Sequence, residues 1–224
     1  MHVFERCKLY PEFSDVIVAT CDEDIKGVVE ERGGTVVMTA STHDRATDRV
    51  QEAVETRYPQ LDDCETIVMV QGDELLVSPD MVDQVVETQR VTGADVVNFG
   101  SRINPAEHKN PNTVKLVAAP DGRVLYFSRA PIPSVMRGGE IPMYQQTGVM
   151  AFTFGFLRKF STLPQTPLEI IESVDMLRVL EHGFPIHVVL HERETIGIDT
   201  PADRTRGETL LAQDPITKNY LGNT

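Results

Sequence analysis

The chain contains 224 residues and has a mass of 25.0 kDa, a size that suits one large domain with a substantial hydrophobic core. Its 34 acidic and 21 basic side chains give a formal net charge of −13, which argues against a protein that binds nucleic acid by bulk charge. No apolar run approaches the roughly 20 residues that span a bilayer, and residues 1–6 mix charged with apolar side chains, unlike a targeting peptide. We therefore expect a cytoplasmic protein that binds neither nucleic acid nor membranes.

Short apolar strands alternate with amphipathic helices through the first hundred residues. Each strand is a run of β-branched or other apolar residues, and each helix places its apolar side chains on one face. The predicted strands cover 15–20, 35–39, 66–70 and 94–99. The predicted helices are 22–32, a helix capped by Thr47, and a helix opened by Ser78 and Pro79. This alternation predicts an α/β fold with a mainly parallel sheet covered by helices on both faces.

The pattern changes after Gly100. Runs 113–119 and 123–127 are joined by Pro120-Asp121-Gly122, which predicts an antiparallel hairpin. A loop rich in proline and glycine follows at 130–142. The remaining predicted elements are a strand at 147–154, a helix at 168–181, a strand at 186–190 and a last helix that begins at Thr200 and Pro201. We expect a single domain over 1–224, with an antiparallel subregion at 100–155 that serves substrate binding or dimerisation.

The first candidate for chemistry is the segment Gln71-Gly72-Asp73-Glu74, directly after the strand 66–70. Ligands of open α/β sheets collect at the carboxyl ends of strands. Asp73 offers hard oxygen ligands suited to Mg²⁺, and Gln71 offers both a donor and an acceptor. The alternative interpretation is a polar turn between a strand and a helix. Because Ser78 is expected to cap the following helix, the acidic side chains of this segment should be available to a ligand.

Asp199 is the second acidic candidate. Thr200 is the better N-cap residue, so Asp199 is expected to lie just outside the final helix. The alternative is a favourable charge near a helix N-terminus. Two aspartates from distant strand ends that share Mg²⁺ on a nucleoside triphosphate are a common arrangement for phosphoryl-type transfer.

Basic and histidine-containing segments provide further candidates. Arg129 lies between a predicted strand and a proline-rich loop, where it can hold a carboxylate or phosphate, or simply lie at the surface. Residues 43–49 precede a helix N-terminus, where anions bind readily, although a solvated helix start also fits. His182, His187 and His191 are expected at the surface or in the core rather than at a metal. The three cysteines are expected to be reduced thiols.

Taken together, these motifs resemble the CMP-Kdo synthetases, the 3-deoxy-manno-octulosonate cytidylyltransferases. The matching segments follow the family's order along nearly the whole chain: His2-Val3-Phe4-Glu5-Arg6, Val18-Ala19-Thr20, Val70-Gln71-Gly72-Asp73-Glu74, Asn110-Pro111-Asn112-Thr113-Val114-Lys115, Tyr126-Phe127-Ser128-Arg129-Ala130-Pro131-Ile132-Pro133, Pro167-Leu168-Glu169, Leu177-Arg178-Val179-Leu180 and Asp199-Thr200-Pro201. The resemblance implies a Rossmann-like nucleotide-diphospho-sugar transferase fold. It also implies CTP- and Mg²⁺-dependent transfer of CMP to the hydroxyl of a sugar acid, with release of pyrophosphate, in lipopolysaccharide biosynthesis by a homodimer.

The resemblance also implies roles for individual residues. Asp73 and Asp199 look like the catalytic aspartates that hold the metal ion. The expected nucleotide contacts are Thr20, His43, Thr47, Arg49 and Gln71. The expected contacts to the acid substrate are Gln71, Arg129, Gln146, Met150, Asp175 and Met176.

Several of these positions depart from the family's pattern. Arg45-Ala46 replaces a small Ser-Gly pair near the base, and Asp175-Met176 replaces Glu-Gln. Gln146 and Met150 stand where the family reads His and Tyr in His-x-Gly-Ile-Tyr. A methionine cannot donate a hydrogen bond, so we expect a drier acceptor pocket that handles Kdo poorly.

The family's opening strand and its loop, Pro-Ala-Arg-x-x-Ser-x-Arg-x-x-x-Lys, have no counterpart in the sequence. In that loop, backbone amides and cations wrap the triphosphate. We expect that the sequence lacks its true start or is a degenerate copy. Two alternatives to the sugar-acid cytidylyltransferase are therefore kept: a non-catalytic homologue that only binds a ligand or partner, and a nucleotidyltransferase with another base or acid acceptor.

Overall fold

Helices and strands alternate along most of the chain. The computed structural model describes residues 1–138, 142–192, 195–198 and 200–221. The strands are β1 (Ile17–Thr20), β2 (Thr35–Met38), β3 (Thr66–Val70), β4 (Val96–Arg102), β5 (Lys115–Ala118), β6 (Val124–Ser128), β7 (Tyr144–Thr153) and β8 (His187–His191). The α-helices are α1 (His2–Cys7), α2 (Glu23–Glu31), α3 (Ala46–Arg57), α4 (Pro79–Thr92), α5 (Phe154–Thr162), α6 (Pro167–Glu172), α7 (Met176–Glu181), α8 (Pro201–Gln213) and α9 (Pro215–Leu221). Residues Pro105–Lys109 form a 3₁₀ helix.

The larger of two sheets contains six strands. Its main path is β6-β5-β7-β4-β8, and β3 pairs with β7. Because β7 is antiparallel to β3, β4 and β5, and β8 is parallel to β4, four strands share one direction and only β6 and β7 oppose it. The hairpin β5–β6 is the predicted antiparallel insert. The α/β class with a mainly parallel sheet is therefore confirmed.

The smaller sheet is the parallel pair β1–β2. No described strand joins it to the six-stranded sheet. Between β1 and β3 lies an apolar cleft of about 1130 Å³, lined by the whole length of both strands. We call this cleft the interstrand groove.

Helices cover both faces of the sheets, as predicted. One apolar cluster places residues of α3, α5 and α7 against one face, including the fully buried Phe152 and Phe160. The other cluster places α1 and α4 against the opposite face, including the fully buried Val85 and Phe99. Among the described residues, no helix is long and apolar enough to cross a membrane.

A buried arginine ties α1 to the junction between α8 and α9 and to the loop before α4. The Arg6 guanidinium donates to Asp214 Oδ2 at 2.7 Å and to the carbonyl oxygens of Val77 at 2.5 Å and Leu76 at 3.4 Å. Arg6 is only 1 % exposed. A charge so deeply buried is tolerated because both a carboxylate and carbonyl oxygens surround it.

Four details of the predicted elements are wrong. Thr47 does not cap α3; Arg45 occupies the N-cap position, and Thr47 lies inside the helix. The predicted helix 168–181 is divided into α6 and α7, because Ser173 adopts a left-handed conformation with φ of 52°. Two helices, α5 and α9, were not predicted, and α9 makes α8 the penultimate helix rather than the last one.

Candidate functional site

Two cavities meet at the end of β3. The first, which we call the polar cavity, has a volume of about 460 Å³. Six residues predicted from the sequence line it: Gln71, Asp73, Arg129, Gln146, Met150 and Asp175. Gln71 and Asp73 also line the interstrand groove, together with the predicted nucleotide contacts Thr20 and Arg49. Gln71 and Asp73 therefore border both cavities, as expected for the carboxyl end of a strand.

The turn after β3 is fixed against β7. The Gln71 N–H donates to the Gly148 carbonyl at 2.9 Å, and the Gly148 N–H donates to the buried Glu74 carboxylate. A Cβ at position 148 would lie 2.6 Å from Gln71 Cβ, closer than real contacts allow, so only glycine lets Gln71 occupy this position. The expectation that Glu74 is available to a ligand is wrong, because its carboxylate holds β7.

Asp73 lies beside the segment that precedes α8. A Cβ at Gly197 would lie 3.9 Å from Asp73 Oδ2, so the main chain at Gly197 passes next to this carboxylate. The predicted partner aspartate, Asp199, lies outside the described residues. The following residue, Thr200, caps α8 as predicted and accepts a hydrogen bond from the Asp203 N–H at 3.2 Å.

The residues around Asp73 fit a magnesium ion better than a metal ion whose ligands all come from protein side chains. Within the described ranges, no three histidine, cysteine, aspartate or glutamate side chains are grouped to hold a metal. Mg²⁺ is usually held by one or two carboxylates together with substrate phosphates and water. Asp73, a hard carboxylate lining both cavities, matches that requirement.

The first turn of α3 contacts the segment between α6 and α7. The Thr47 hydroxyl donates to Asp175 Oδ2 at 2.6 Å, and Arg45 Nη1 donates to Ser173 Oγ at 3.2 Å. Burial raises the pKa of the Asp175 carboxyl, and the Thr47 hydrogen bond and the Arg45 charge only partly oppose this shift. Arg45, Ser173 and Asp175 therefore form one polar wall of the polar cavity.

A buried ion pair supports this wall. Arg178 donates to Glu169 with Nε at 2.8 Å and with Nη2 at 2.6 Å, and both side chains are buried. Arg45 Nε lies 3.6 Å from the same Glu169 carboxylate. The hydrogen bonds that Arg178 donates to Glu169 raise the pKa of the Arg178 guanidinium. This bidentate pair links α6 to α7 across the turn at Ser173.

The predicted nucleotide residues His43 and Arg49 join the loop after β2 to α3. His43 Nε2 pairs with the Glu52 carboxylate, and the hydrogen bond lowers the pKa of Glu52. Arg49 Nη1 donates to Thr39 Oγ1 at 2.5 Å and to the Ala40 carbonyl at 3.3 Å. These contacts hold the segment after β2 against α3.

Arg129 is engaged by main-chain oxygens. Its guanidinium donates to the carbonyls of Glu172 at 2.6 Å, Pro111 at 2.9 Å and Ser173 at 3.3 Å. Its backbone N–H donates to the Glu172 carboxylate at 2.8 Å. Arg129 thus holds two loops of the polar cavity together. Its contact to an acid substrate stays a prediction.

The predicted acceptor residues differ in their access to the polar cavity. Gln146 lines it, and its buried Nε2 has no hydrogen-bond partner among the described residues, so an amide donor is available to a ligand there. Met150 lines the same cavity although it is 1 % exposed. Met176 is fully buried in the core cluster and does not line the cavity.

Sequence reasoning missed Lys115 as a structural group of this site. Its buried ammonium donates to the carbonyl oxygens of Asn110, Thr113 and Arg129 at 2.8, 2.6 and 2.5 Å. Burial lowers its pKa, and the Arg129 charge adds to the effect. The only sign of this role in the sequence was the place of Lys115 at the end of the Asn110-to-Lys115 motif. Its three partners are main-chain carbonyl groups, which every residue has, so the residue types at 110, 113 and 129 do not reveal them.

Comparisons with known proteins agree with this geometry. A family model described as "Cytidylyltransferase" matches residues 1–195. A curated relative from Thermodesulfovibrio yellowstonii, named 3-deoxy-manno-octulosonate cytidylyltransferase, is 37% identical over 220 residues, covering 94% of this chain and 86% of the relative. A relative from Shewanella sp. strain ANA-3, named 8-amino-3,8-dideoxy-manno-octulosonate cytidylyltransferase, is 38% identical over 216 residues, covering 95% of this chain and 87% of the relative.

A solved structure gives the same result. The structure of CMP:2-keto-3-deoxy-manno-octonic acid synthetase complexed with CTP superposes with a TM-score of 0.85 at 30% identity, covering 95% of this chain and 86% of that chain. The matched family model, the two relatives and this structure together show that the chain belongs to the cytidylyltransferase family.

Proposed function

We propose that this chain transfers CMP from CTP to a hydroxyl group of a sugar acid of the Kdo type and releases pyrophosphate. The observation that carries the proposal is the position of Gln71 and Asp73, which border both the polar cavity and the interstrand groove. The names of the relatives and the CTP complex of the similar structure support the same reaction.

The reaction needs positioning and charge neutralisation rather than a covalent enzyme intermediate. The acceptor hydroxyl attacks the α-phosphorus of CTP in line, the bond to the bridging oxygen breaks, pyrophosphate departs, and the hydroxyl proton leaves to solvent. Asp73, with Asp199, would hold Mg²⁺. When bound, this ion would neutralise negative charge on the phosphates.

The polar cavity would receive the acid substrate. Gln146 presents an amide donor with no described partner, which matches a carboxylate or hydroxyl oxygen. Arg45, which is cationic, and Asp175, which carries a carboxyl group, line the same cavity. Kdo and its 8-amino derivative are the acceptors to compare, because the relatives carry both names. The weak use of Kdo stays a prediction, as do the homodimer and the cytoplasmic location. It is expected from four replaced positions: Gln146, Met150, Asp175 and Met176.

The decisive experiment measures pyrophosphate release with CTP, saturating Mg²⁺ and a panel of sugar acids. Asp73→Asn keeps the side chain's size and removes its negative charge, so it is expected to lower turnover by about 10²–10³-fold. The matched control is Asp80→Asn, which changes an exposed aspartate on α4 that lines neither cavity. Asp80→Asn is expected to leave turnover unchanged.

Two outcomes would contradict the proposal. If Asp73→Asn turns over CTP as the unaltered chain does, this carboxylate is not part of the site. If no acid in the panel supports pyrophosphate release although CTP binds, the chain is a non-catalytic binding homologue.

A further inference from the structure

Strand β7 has a bulge where it passes the end of β3. The ladder between β4 and β7 pairs Asn98 with Met150. The next pair is Gly100 with Gln146, so β7 advances four residues while β4 advances two. Residues 147–149 lie between these two pairs, and we call them the β7 bulge. A bulge bends its strand and re-aims the side chains beside it, and bulges are frequent next to active sites.

The centre of the β7 bulge bonds to the turn after β3. The Gly148 carbonyl accepts from the Gln71 N–H at 2.9 Å, and the Gly148 N–H donates to the Glu74 carboxylate. Gln71 and Asp73 in this turn border both the polar cavity and the interstrand groove. The turn therefore takes its position from the central glycine of the bulge.

The side chain of Asn98 holds the residues on either side of that glycine. Its Nδ2 donates to the carbonyl oxygens of Thr147 at 2.9 Å and Val149 at 3.1 Å. The Thr147 hydroxyl in turn donates to the Phe99 carbonyl at 2.7 Å. Side-chain groups thus satisfy main-chain groups where the bulge interrupts the regular ladder.

A buried amide at position 98 does not help a strand that only has to pair with its neighbours. Asn98 is fully buried, and its Oδ1 has no hydrogen-bond partner among the described residues. A buried acceptor without a partner lowers stability. A regular ladder between β4 and β7 would need neither the bulge nor this side chain. Local departures from regular structure that lower stability are expected at functional sites.

The β7 bulge leads directly into the polar cavity. Gln146 precedes it, and the Gln146 N–H donates to the Val114 carbonyl at 2.8 Å. The side-chain Nε2 of Gln146, which has no partner among the described residues, belongs to the lining of the polar cavity. Asn98 lines neither cavity. The bulge therefore lies between Gln146 on the acid side and Gln71 on the nucleotide side.

We propose that Asn98 is a positioning residue of this site: its amide holds the β7 bulge, and the bulge fixes the spacing between Gln71 and Gln146. This role rests on the proposed function, because the spacing matters when CTP and the acid react. In-line attack needs the acceptor hydroxyl and the α-phosphorus to be aligned, and a displacement of about 1 Å can lower the rate about 10²-fold. Asn98 acts through the bulge and does not touch a substrate.

Asn98→Leu tests this role, because leucine has nearly the shape of asparagine and has no hydrogen-bond donor. In the pyrophosphate assay, kcat should fall by about 10²-fold while the KM values for CTP and the acid stay within about threefold, since every side chain that contacts a substrate is still present. The matched control is Val96→Ala. Val96 is also fully buried on β4, and it pairs with Phe152 outside the bulge. Val96→Ala should lower stability in urea unfolding and leave kcat and KM unchanged.

Hydrogen exchange tests the position of the bulge without catalysis. The amides of Gln71 and Gly148 are compared with the amide of Ala151, which is paired in both ladders outside the bulge. This comparison within one variant corrects for a general loss of stability. Relative to Ala151, both amides should exchange at least about tenfold faster in Asn98→Leu than in the unaltered chain. In Val96→Ala, the relative rates should stay within about threefold.

A second variant covers the case in which Asn98→Leu does not fold. Thr147→Val keeps the size of the side chain and removes the hydroxyl that donates to Phe99. It should raise the relative exchange rate at Gly148 at least about threefold. An unchanged rate would overturn the proposal, because the bulge would then need no side-chain support.

Two results with Asn98→Leu would also overturn the proposal. The first is an unchanged relative exchange rate at Gln71 and Gly148, which would show that the bulge does not depend on the amide. The second is a loss of kcat that Val96→Ala shares to the same extent, which would reduce Asn98 to a contributor to stability. Failure of the proposed function gives a different result: the unaltered chain itself would release no pyrophosphate, whatever the exchange rates.

Discussion

Breaking the buried pair between Glu169 and Arg178 should destabilise the protein strongly. Arg178→Met removes two short charged hydrogen bonds and leaves the Glu169 carboxylate buried, with only Arg45 at 3.6 Å as a remaining cation. Removing one partner of a buried pair costs about 3–5 kcal/mol. For a domain of this size, each kcal/mol lowers Tm by about 2–4 °C, so the expected decrease is about 6–20 °C.

Urea unfolding followed by circular dichroism measures this cost. The double variant Glu169→Leu/Arg178→Met removes both charges and should recover at least about 2 kcal/mol relative to the sum of the single variants. If Arg178→Met loses less than about 1 kcal/mol at an unchanged denaturant slope, the pair does not stabilise the α6–α7 turn and the reasoning fails.

Two further predictions concern the walls of the polar cavity. Gly148→Ala places a Cβ 2.6 Å from Gln71 Cβ and should lower kcat/KM for CTP by about 10²-fold in the pyrophosphate assay. The control is Gly27→Ala, whose new Cβ meets nothing within 4 Å and which should leave kcat/KM unchanged. Burial raises the pKa of Asp175 in the folded state, so the folded chain holds the Asp175 proton more tightly than the unfolded chain does. This difference adds to the free energy of unfolding at low pH and is lost as the pH rises through the folded-state pKa. In urea unfolding, the free energy of unfolding of Asp175→Asn should therefore rise relative to that of the unaltered chain as the pH is raised from about 4 to about 8. A difference in free energy of unfolding that does not change with pH would refute this.

The order of strands and helices could be predicted because the patterns that specify them are local. Alternation of β-branched runs with helical periodicity located β1 to β4 and the helices between them. Helix α5 escaped prediction because its apolar sequence continues directly from β7 at Thr153, with no glycine or proline between them. The break at Ser173 escaped because a left-handed residue other than glycine leaves no periodic signal.

The candidate site could be predicted where one general rule applies. Gln71 and Asp73 follow a buried strand, and strand ends are where α/β sheets bind ligands. The hydrogen bonds of Arg129 and Thr47 could not be predicted, since their partners lie 43 and 128 residues away in sequence. Only the folded chain brings such groups together. Motif resemblance placed Glu169 and Arg178 in separate segments, and the structure shows that they form one ion pair.

The contact between Arg6 and Asp214 has a consequence for synthesis of the chain on the ribosome. The two residues are 208 positions apart. At a synthesis rate of about 5–20 residues per second, Asp214 is added roughly 10–40 s after Arg6. During that interval α1 lacks the partner that neutralises its charge, and docking it into the apolar layer would leave the guanidinium uncompensated. The first helix of the sequence is therefore expected to be among the last to dock, and the nascent chain exposes the apolar surface beneath α1 until α9 has emerged.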